Sequence, residues 1–446
     1  MEFISDLPII GGFLGAVLPF IVVIAIVVFV HEFGHYIVGR WCGIHAEVFS
    51  LGFGKELWSR TDSRGTVWRI GALPLGGYVK FLGDADGASR PDQSAVEGMD
   101  AETRARSFPG AALWKRALTV SAGPIANFIL TIAIFLGFIA WNGLAVEEPV
   151  IGGIPDSVVS ATPLQAGDIV RQVGDTEVTT YVEMVEAFSD LPSDTTTPFL
   201  VERDGEVLTL AVPYPRPPYV VGVRPLSAAS QAGIEAGDLL LSANDKPLPD
   251  FDALLAAVGN SEGVPIDITL RRGDETMTMT MTPRVEDVPT ADGFERRAII
   301  GVTVGTYIEP AVRTAGPIEA LSVATSRMFA IITGTIDGIG HMIAGSLSPS
   351  NINGPVGIAQ VSGETAGQGL TNFIQLIALI STAIGLMNLF PIPVLDGGHL
   401  VFYAIEAVTG RQPKGRWVDI AMAVGLAMVL SLMVFATYND LSRLSL

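Results

Sequence analysis

Four long apolar runs mark the chain, at residues 13–38, 113–141, 373–400 and 417–437. Each is long enough for a helix to cross a bilayer, which takes about 20 mainly apolar residues. Between the second and third runs the pattern shortens. VERDGEVLTLAV (residues 201–212) and TLRRGDETMTMTM (269–281) alternate polar and apolar positions around a charged turn, which predicts strand hairpins. SLGFGKELW (50–58) and ALPLGGYVKFLG (72–83), between the first two runs, alternate around glycines in the same hairpin-like way. A further apolar stretch, residues 316–347, is broken by Arg327, Asp337 and His341, so it is expected as helices lying at the outer interface.

The composition agrees with spans carrying polar domains. Of 446 residues 49% are hydrophobic and only 16% charged, against about a quarter in ordinary soluble domains. A net charge of -19 without basic patches excludes a nucleic-acid partner. The single cysteine, Cys42, excludes an intrachain disulfide framework and a thiolate-based zinc site. The first run lacks a basic leader and a small-residue cleavage site, so it is expected to remain in the mature protein. The loop from Arg40 to Arg116 holds 11 Lys/Arg against 9 Asp/Glu, and Arg411, Lys414 and Arg416 lie in the short link before the last run. The positive-inside rule puts both loops in the cytoplasm, and both termini and the acidic segment between runs two and three outside.

That outer segment contains a repeat. QAGDIVRQVGDTEV (165–178) matches EAGDLLLSANDKPL (235–248) at an offset of 70 residues, each followed by a helix-like run and a strand hairpin. PYPRPP at 213–218 reads as a stiff linker between the copies. The repeats resemble PDZ domains, which bind extended peptides by strand addition; a spacer without a ligand is the alternative. The expected divisions are an N-terminal membrane part at 1–141, PDZ-like domains at 142–215 and 216–284, a connector with interfacial helices at 285–371, and a C-terminal membrane part at 372–446.

The chemistry sits at the end of the first run, in FVHEFGHYIVG. His31 and His35, four residues apart, project from one helical face and can share a tetrahedral ion, while Glu32 stands where HExxH metalloproteases place their general base. Catalytic zinc takes three protein ligands and a water. Asp396, in NLFPIPVLDGGHL, is the best third candidate: the first and third runs both enter from outside, so Asp396 and the histidines reach one depth past the bilayer centre at 1.5 Å per residue. A crossing at 316–347 would break that parity. His45 and His399 are ligands by type but have no helical partner four residues on, and His341 reads as a surface histidine. Bound zinc would polarise the scissile carbonyl and its water, and Glu32 would move the proton.

HEFGH in a first span, LDGG in a late span and flanking PDZ-like repeats together resemble the site-two protease family of intramembrane zinc metalloproteases, in particular bacterial members with tandem PDZ domains. The resemblance implies a polytopic α-helical membrane protein with four transmembrane helices, a membrane-dipping β-hairpin and two α+β PDZ-like domains. It implies a Zn2+ cofactor on His31, His35 and Asp396, and residence in the bacterial inner membrane with the PDZ-like domains in the periplasm. Implied substrates are single-span membrane proteins, such as a pre-trimmed anti-sigma factor, and remnant signal peptides. Gly52, Phe53, Gly54, Gly76, Gly77 and Tyr78 match the family's substrate-pairing hairpin, and Asn388, Pro391 and Pro393 its NxxPxPxLDGG segment. Gly123 and Asn127, in SAGPIANF, are assigned to close helix packing. An inactive PDZ scaffold and a metal transporter are the other function classes. Both are disfavoured, because all four catalytic residues are present and the polar groups cluster at one depth.

Overall fold

The computed structural model describes residues 10–84, 98–155, 158, 162–290, 293–413 and 415–444. Most of the acidic stretch at 83–102, to which the sequence assigns no role, lies outside them. The chain opens with helix α1 (Ile10–Trp41), whose apolar run carries no charged side chain before Glu32. The hairpin β1 (Ala46–Thr61) and β2 (Val67–Phe81) follows, then α2 (Leu113–Asn142). In a bilayer the helix satisfies every backbone group internally, so long apolar segments fold this way. Exposed Trp41 and Trp114 mark one end of these two helices and Trp141 the other, the usual position of interfacial tryptophan. The helices touch backbone to backbone, since a Cβ on Gly34 would overlap the Ala122 carbonyl.

The hairpin pairs Ser50 with Tyr78 and Leu51 with Gly77, with register shifts along its length. Its base is buried around Phe49, Val79 and Phe81, whereas Phe53, Leu57, Trp58 and Leu73 lie exposed toward its middle. Asp62 pins the turn end to α1: its carboxylate accepts from the N–H groups of Arg64 and Thr66, from the Trp68 indole at 3.2 Å and from the Tyr36 hydroxyl at 3.3 Å.

Residues 138–320, with 344–348, form a second compact unit. Short ribbons β3 (Leu144–Ala145) and β4 (Ile151–Gly153) lead into β5 (Ile169–Val173), β6 (Thr176–Glu177), α3 (Tyr181–Ala187), β7 (Thr197–Arg203) and β8 (Glu206–Val212). The second copy runs β9 (Tyr219–Val223), α4 (Ala228–Ala232), β10 (Leu239–Ala243), β11 (Lys246–Pro247), α5 (Phe251–Gly259), β12 (Ile266–Arg272) and β13 (Glu275–Met281). Then come β14 (Arg284–Thr290), β15 (Gly293–Ile299), β16 (Val302–Gly305), β17 (Glu309–Pro310) and β18 (Val312–Arg313). The first sheet is ordered β6-β5-β7-β8 and the second β13-β12-β10-β9-β16, with β11 on β10.

The repeat recurs in the ion pairs. The buried AGD carboxylate Asp168 takes Arg203 Nε at 2.6 Å, and Asp238 takes Arg272 Nε at 2.8 Å; each guanidinium also donates to a nearby carbonyl, of Pro163 or Gly233. Each copy has its own core, around Phe188, Phe199 and Val201 or around Leu254, Ile268 and Leu270.

The 284 boundary moves. Residues 285–371, expected as a connector, supply β16, which pairs with β9, and β17, which pairs with β4. One segment therefore adds an edge strand to the second sheet and then a ribbon with β4, and between its strands Tyr307 and Ile308 bury in the first core, with the Ile308 carbonyl accepting from Tyr181 Oη at 2.6 Å. The expectation of a connector with interfacial helices did not include these strands, because their pairing partners lie about 80 and 160 residues upstream. Finally β18 pairs with β3, joining the outgoing chain to the incoming one.

The stretch at 316–347 forms a single helix, α6 (Pro317–Ala344), rather than several, and it is not one of the four helices among the described residues that are long and apolar enough to cross a membrane. After it come α7 (Pro355–Gly367), α8 (Leu370–Asn388), α9 (Asp396–Thr409) and α10 (Arg416–Leu444). The third apolar run at 373–400 is thus not one helix: α8 ends at Asn388 and a new helix starts at Asp396, because Pro391 and Pro393 cannot continue the first. Helix α7 packs on α1, where Gly363 meets the Gly15 and Ala16 backbone. Its N-terminus is held by Asp440 of α10, whose carboxylate accepts from Gly354 N at 2.9 Å and Gly357 N at 2.8 Å.

Two outcomes follow from these contacts. Arg272→Met leaves Asp238 as an unpaired buried carboxylate and is expected to cost about 3 kcal/mol, read by denaturant unfolding of the whole chain, with Asp238→Asn added to the same variant recovering part of the loss. Burial alone would raise the Asp62 carboxyl, but its hydrogen bonds outweigh that and hold it below the ordinary carboxylate range. The anchoring is therefore complete above about pH 4 and fades as pH falls through the lowered folded value, which amide exchange at Gly65 and Thr66 across acidic pH will register.

Candidate metal centre

His31 and His35 stand one turn apart on α1, with their Nε2 atoms 3.2 Å from each other. Asp396, the first residue of α9, brings Oδ2 to 3.2 Å from His31 Nε2 and 3.4 Å from His35 Nε2. The cluster is the group of three ligand-type side chains close enough to hold an ion among the described residues. The outer nitrogens are engaged: His35 Nδ1 donates to the Thr119 carbonyl at 2.9 Å, and His31 Nδ1 faces the Asn127 amide at 3.4 Å. A carbonyl only accepts, so His35 carries its proton on Nδ1 and turns an Nε2 lone pair inward.

Lone pairs therefore converge on a common point, and Asp396 Oδ2 is buried there without a hydrogen-bond partner of proper geometry. Apolar surroundings make such an arrangement costly unless a cation sits between the donors. The spacing suits zinc: ligand distances of about 2.0–2.1 Å in a tetrahedron give donor–donor edges of about 3.3 Å, against 3.2, 3.2 and 3.4 Å here. Gly123 of α2 completes the cradle. A Cβ there would run into His35 Nε2 and would lie 2.9 Å from His31 Cε1.

The local sequence explains how Asp396 arrives. Val394 adopts φ 96, a costly value for a β-branched residue, and turns the chain into α9. Gly397 and Gly398 follow because α9 starts flush against the 389–393 backbone; a Cβ on either would overlap the carbonyls of Leu389, Phe390 or Ile392. Further along α9, Glu406 receives Arg116 of α2 in a two-pronged ion pair at 2.6 and 3.2 Å, with the guanidinium over the Tyr403 ring. This pair fixes α9 to the helix that carries Thr119, Gly123 and Asn127.

Glu32 points toward β2, where the Val79 N–H reaches its carboxylate and Gly77 lies against its Cγ. Glu32 and the three clustered residues line a cavity of about 180 Å³, closed also by Phe81, Phe108, Thr119 and Asn388. His399 is in its wall as well, but outside the cluster; His45 sits at the hairpin beside Gly65 and His341 on α6.

The other expected substrate residues divide by position. Asn388 reaches the cavity, with its amide donating to Ile384 O at 3.1 Å, and a Cβ on Gly77 would lie 3.2 Å from Glu32 Cγ. Gly52, Phe53, Gly54, Gly76 and Tyr78 lie along the hairpin, where the Phe53 and Tyr78 rings stack at 6.1 Å. Gly76, at φ 140, has no room for a Cβ under the Phe53 ring. Pro391 and Pro393 shape the link between α8 and α9. Sequence reasoning missed the roles of Thr119 and Asn127 beside the imidazoles. A polar amide inside an apolar run was the available signal, and it was assigned mainly to helix packing with a buried polar contact.

Residues 19–432 match peptidase family M50. The chain is 38% identical over 442 residues to a protein of Agrobacterium fabrum provisionally named a zinc metalloprotease, covering 97% of each. A Rhizobium meliloti protein of the same provisional name is 38% identical over 429 residues, covering 95% of this chain and 96% of the relative. The regulator of sigma E protease of Salmonella typhi is 35% identical over 460 residues, covering 95% of this chain and 98% of the relative. With four helices long and apolar enough to span a membrane among the described residues, a cluster of zinc-type donors beside a glutamate, and a match along nearly its whole length, the chain belongs to peptidase family M50, the site-two zinc metalloproteases.

Proposed function

We propose that His31, His35 and Asp396 hold the zinc of this membrane peptidase and that Glu32 is its general base. The observation that carries the reading is the meeting of two imidazole nitrogens and a carboxylate oxygen at tetrahedral spacing, with a glutamate lining the same cavity. Zinc bound there supplies Lewis-acid polarisation of the scissile carbonyl and acidifies water. Glu32 Oε takes the proton of the attacking water as its oxygen forms the new bond to the carbonyl carbon. The same carboxyl then gives that proton to the leaving nitrogen as the C–N bond breaks, so the glutamate ends as it began. Val79 N–H orients the carboxylate for both transfers.

A transmembrane substrate hides its carbonyls in helical hydrogen bonds and must be unwound first, with its freed backbone groups satisfied by the enzyme. Gly52, Phe53, Gly54, Gly76, Gly77 and Tyr78 are well suited to that task, on a ribbon whose exposed apolar side chains favour dipping into the membrane. Asn388 offers an amide at the cavity, and Pro391 and Pro393 leave the α8–α9 link short of helical hydrogen bonds. The two repeats are read as PDZ-like domains on the periplasmic side of a bacterial inner membrane, screening substrates. By analogy with the sigma E relative, the substrates are pre-trimmed single-span proteins such as an anti-sigma factor, together with remnant signal peptides.

Three variants test this reading in purified enzyme with a short-tailed single-span peptide. Glu32→Gln is expected to keep zinc and lose at least about 10³-fold in cleavage rate; retained hydrolysis would remove the base assignment. Asp396→Asn is expected to lower zinc per chain, measured by atomic absorption. Replacing residues 144–313 by a short linker, so that β3 and β18 leave together, is expected to preserve hydrolysis while admitting substrates with bulkier outer domains, scored by cleavage of a graded substrate series.

A further inference from the structure

We propose that Asn127 is a positioning residue for His31, acting through its side-chain oxygen. The proposal rests on the zinc reading above and goes beyond it by assigning the tautomer of the first histidine. Asn127 is fully buried, and its Nδ2 lies 3.4 Å from His31 Nδ1, while its Oδ1 is buried without a partner. That arrangement sets an N–H donor against the ring and strands an acceptor. Exchanging the amide's nitrogen and oxygen, which occupy interchangeable positions in an asparagine side chain, gives the stranded acceptor a donor: His31 Nδ1–H donates to Oδ1.

The exchange leaves His31 Nε2 bare toward His35 and Asp396, matching the state that Thr119 O imposes on His35. One helix, α2, would then hold both imidazoles by their outer nitrogens, through a backbone carbonyl at Thr119 and a side-chain carbonyl eight residues later. Two turns of helix separate those acceptors, against one turn between the histidines, because the rings reach across Gly123 to either side.

The amide has little freedom to do anything else. Its own backbone carbonyl accepts from Ser381 Oγ of α8 at 2.9 Å and from Thr131 Oγ1 at 3.2 Å. Gly385 leaves only enough room for the Asn127 Cβ, since a methyl there would come within 3.2 Å of it. Helix α8 thus sets the height and rotation of the residue that orients His31.

The test uses the full chain in detergent, with zinc affinity measured by competition against a chromophoric chelator and ¹⁵N-histidine spectra of the metal-free protein. Asn127→Leu, similar in size without an acceptor, is expected to weaken zinc binding about 10–100-fold. Asn127→Asp, which keeps the acceptor and loses the amide donor, is expected to stay within a few-fold of the native affinity. His31 should carry its proton on Nδ1 in the native and Asp variants and populate both tautomers in the Leu variant. Native zinc affinity in Asn127→Leu, equal losses in both variants, or a native His31 protonated on Nε2 would each overturn the proposal. Asp396→Asn run alongside separates the two levels: zinc lost there but kept in Asn127→Leu defeats only the positioning role, whereas zinc kept in both defeats the metal reading itself.

Discussion

Ligand-type atoms crowded together inside an apolar medium repel unless a cation or proton lies between them, and the helices around His31, His35 and Asp396 are arranged to keep three of them in contact. Each imidazole is restrained from behind, by Thr119 and Asn127 of α2, and the carboxylate is delivered by a helix start that depends on a strained Val394 and two glycines. The Arg116–Glu406 pair then locks α9 to α2, so that the two elements cannot drift apart and relax the cluster. Preorganisation of this kind is what makes a metal site selective in geometry and what keeps the neighbouring glutamate at a fixed distance from the chemistry.

The long apolar helices and the clustered ligand-type side chains were legible in the sequence because both depend on signals that survive without tertiary context. Twenty apolar residues need no partner to be recognised, and two histidines at a spacing of four share a face in any helix. Asp396 was reachable by depth alone. What could not be read was anything made by strands meeting far apart in sequence: β16 and β17 are too short and too distant from β9 and β4 to leave a periodic trace. The break after Asn388 was signalled by its two prolines, yet the apolar composition ran on to Leu400 and masked it.

The groups behind the two imidazoles show a different limit. An asparagine in SAGPIANF and a threonine two turns earlier look like helix-packing residues, because their partners are a ring nitrogen on another helix and a hydroxyl on a third. Polar residues in a bilayer helix rarely serve packing alone, so the burial of Asn127 was the more informative fact. The hydroxyls of Thr131, Ser381 and Thr382 form a ladder between α2 and α8 that gives this polar centre its footing, with Thr382 Oγ1 and Thr131 Oγ1 at 2.9 Å.

The pairing of β3 with β18 gives the inserted unit a simple meaning for the membrane helices. Residues 146–311 lie between those two strands, and a flexible loop of that length would cost about 4–5 kcal/mol of closure entropy. A folded insertion that returns its chain to the point of departure meets that cost within itself. A unit that closes on itself in this way can be enlarged or exchanged over evolutionary time at little entropic cost to the chain that carries it.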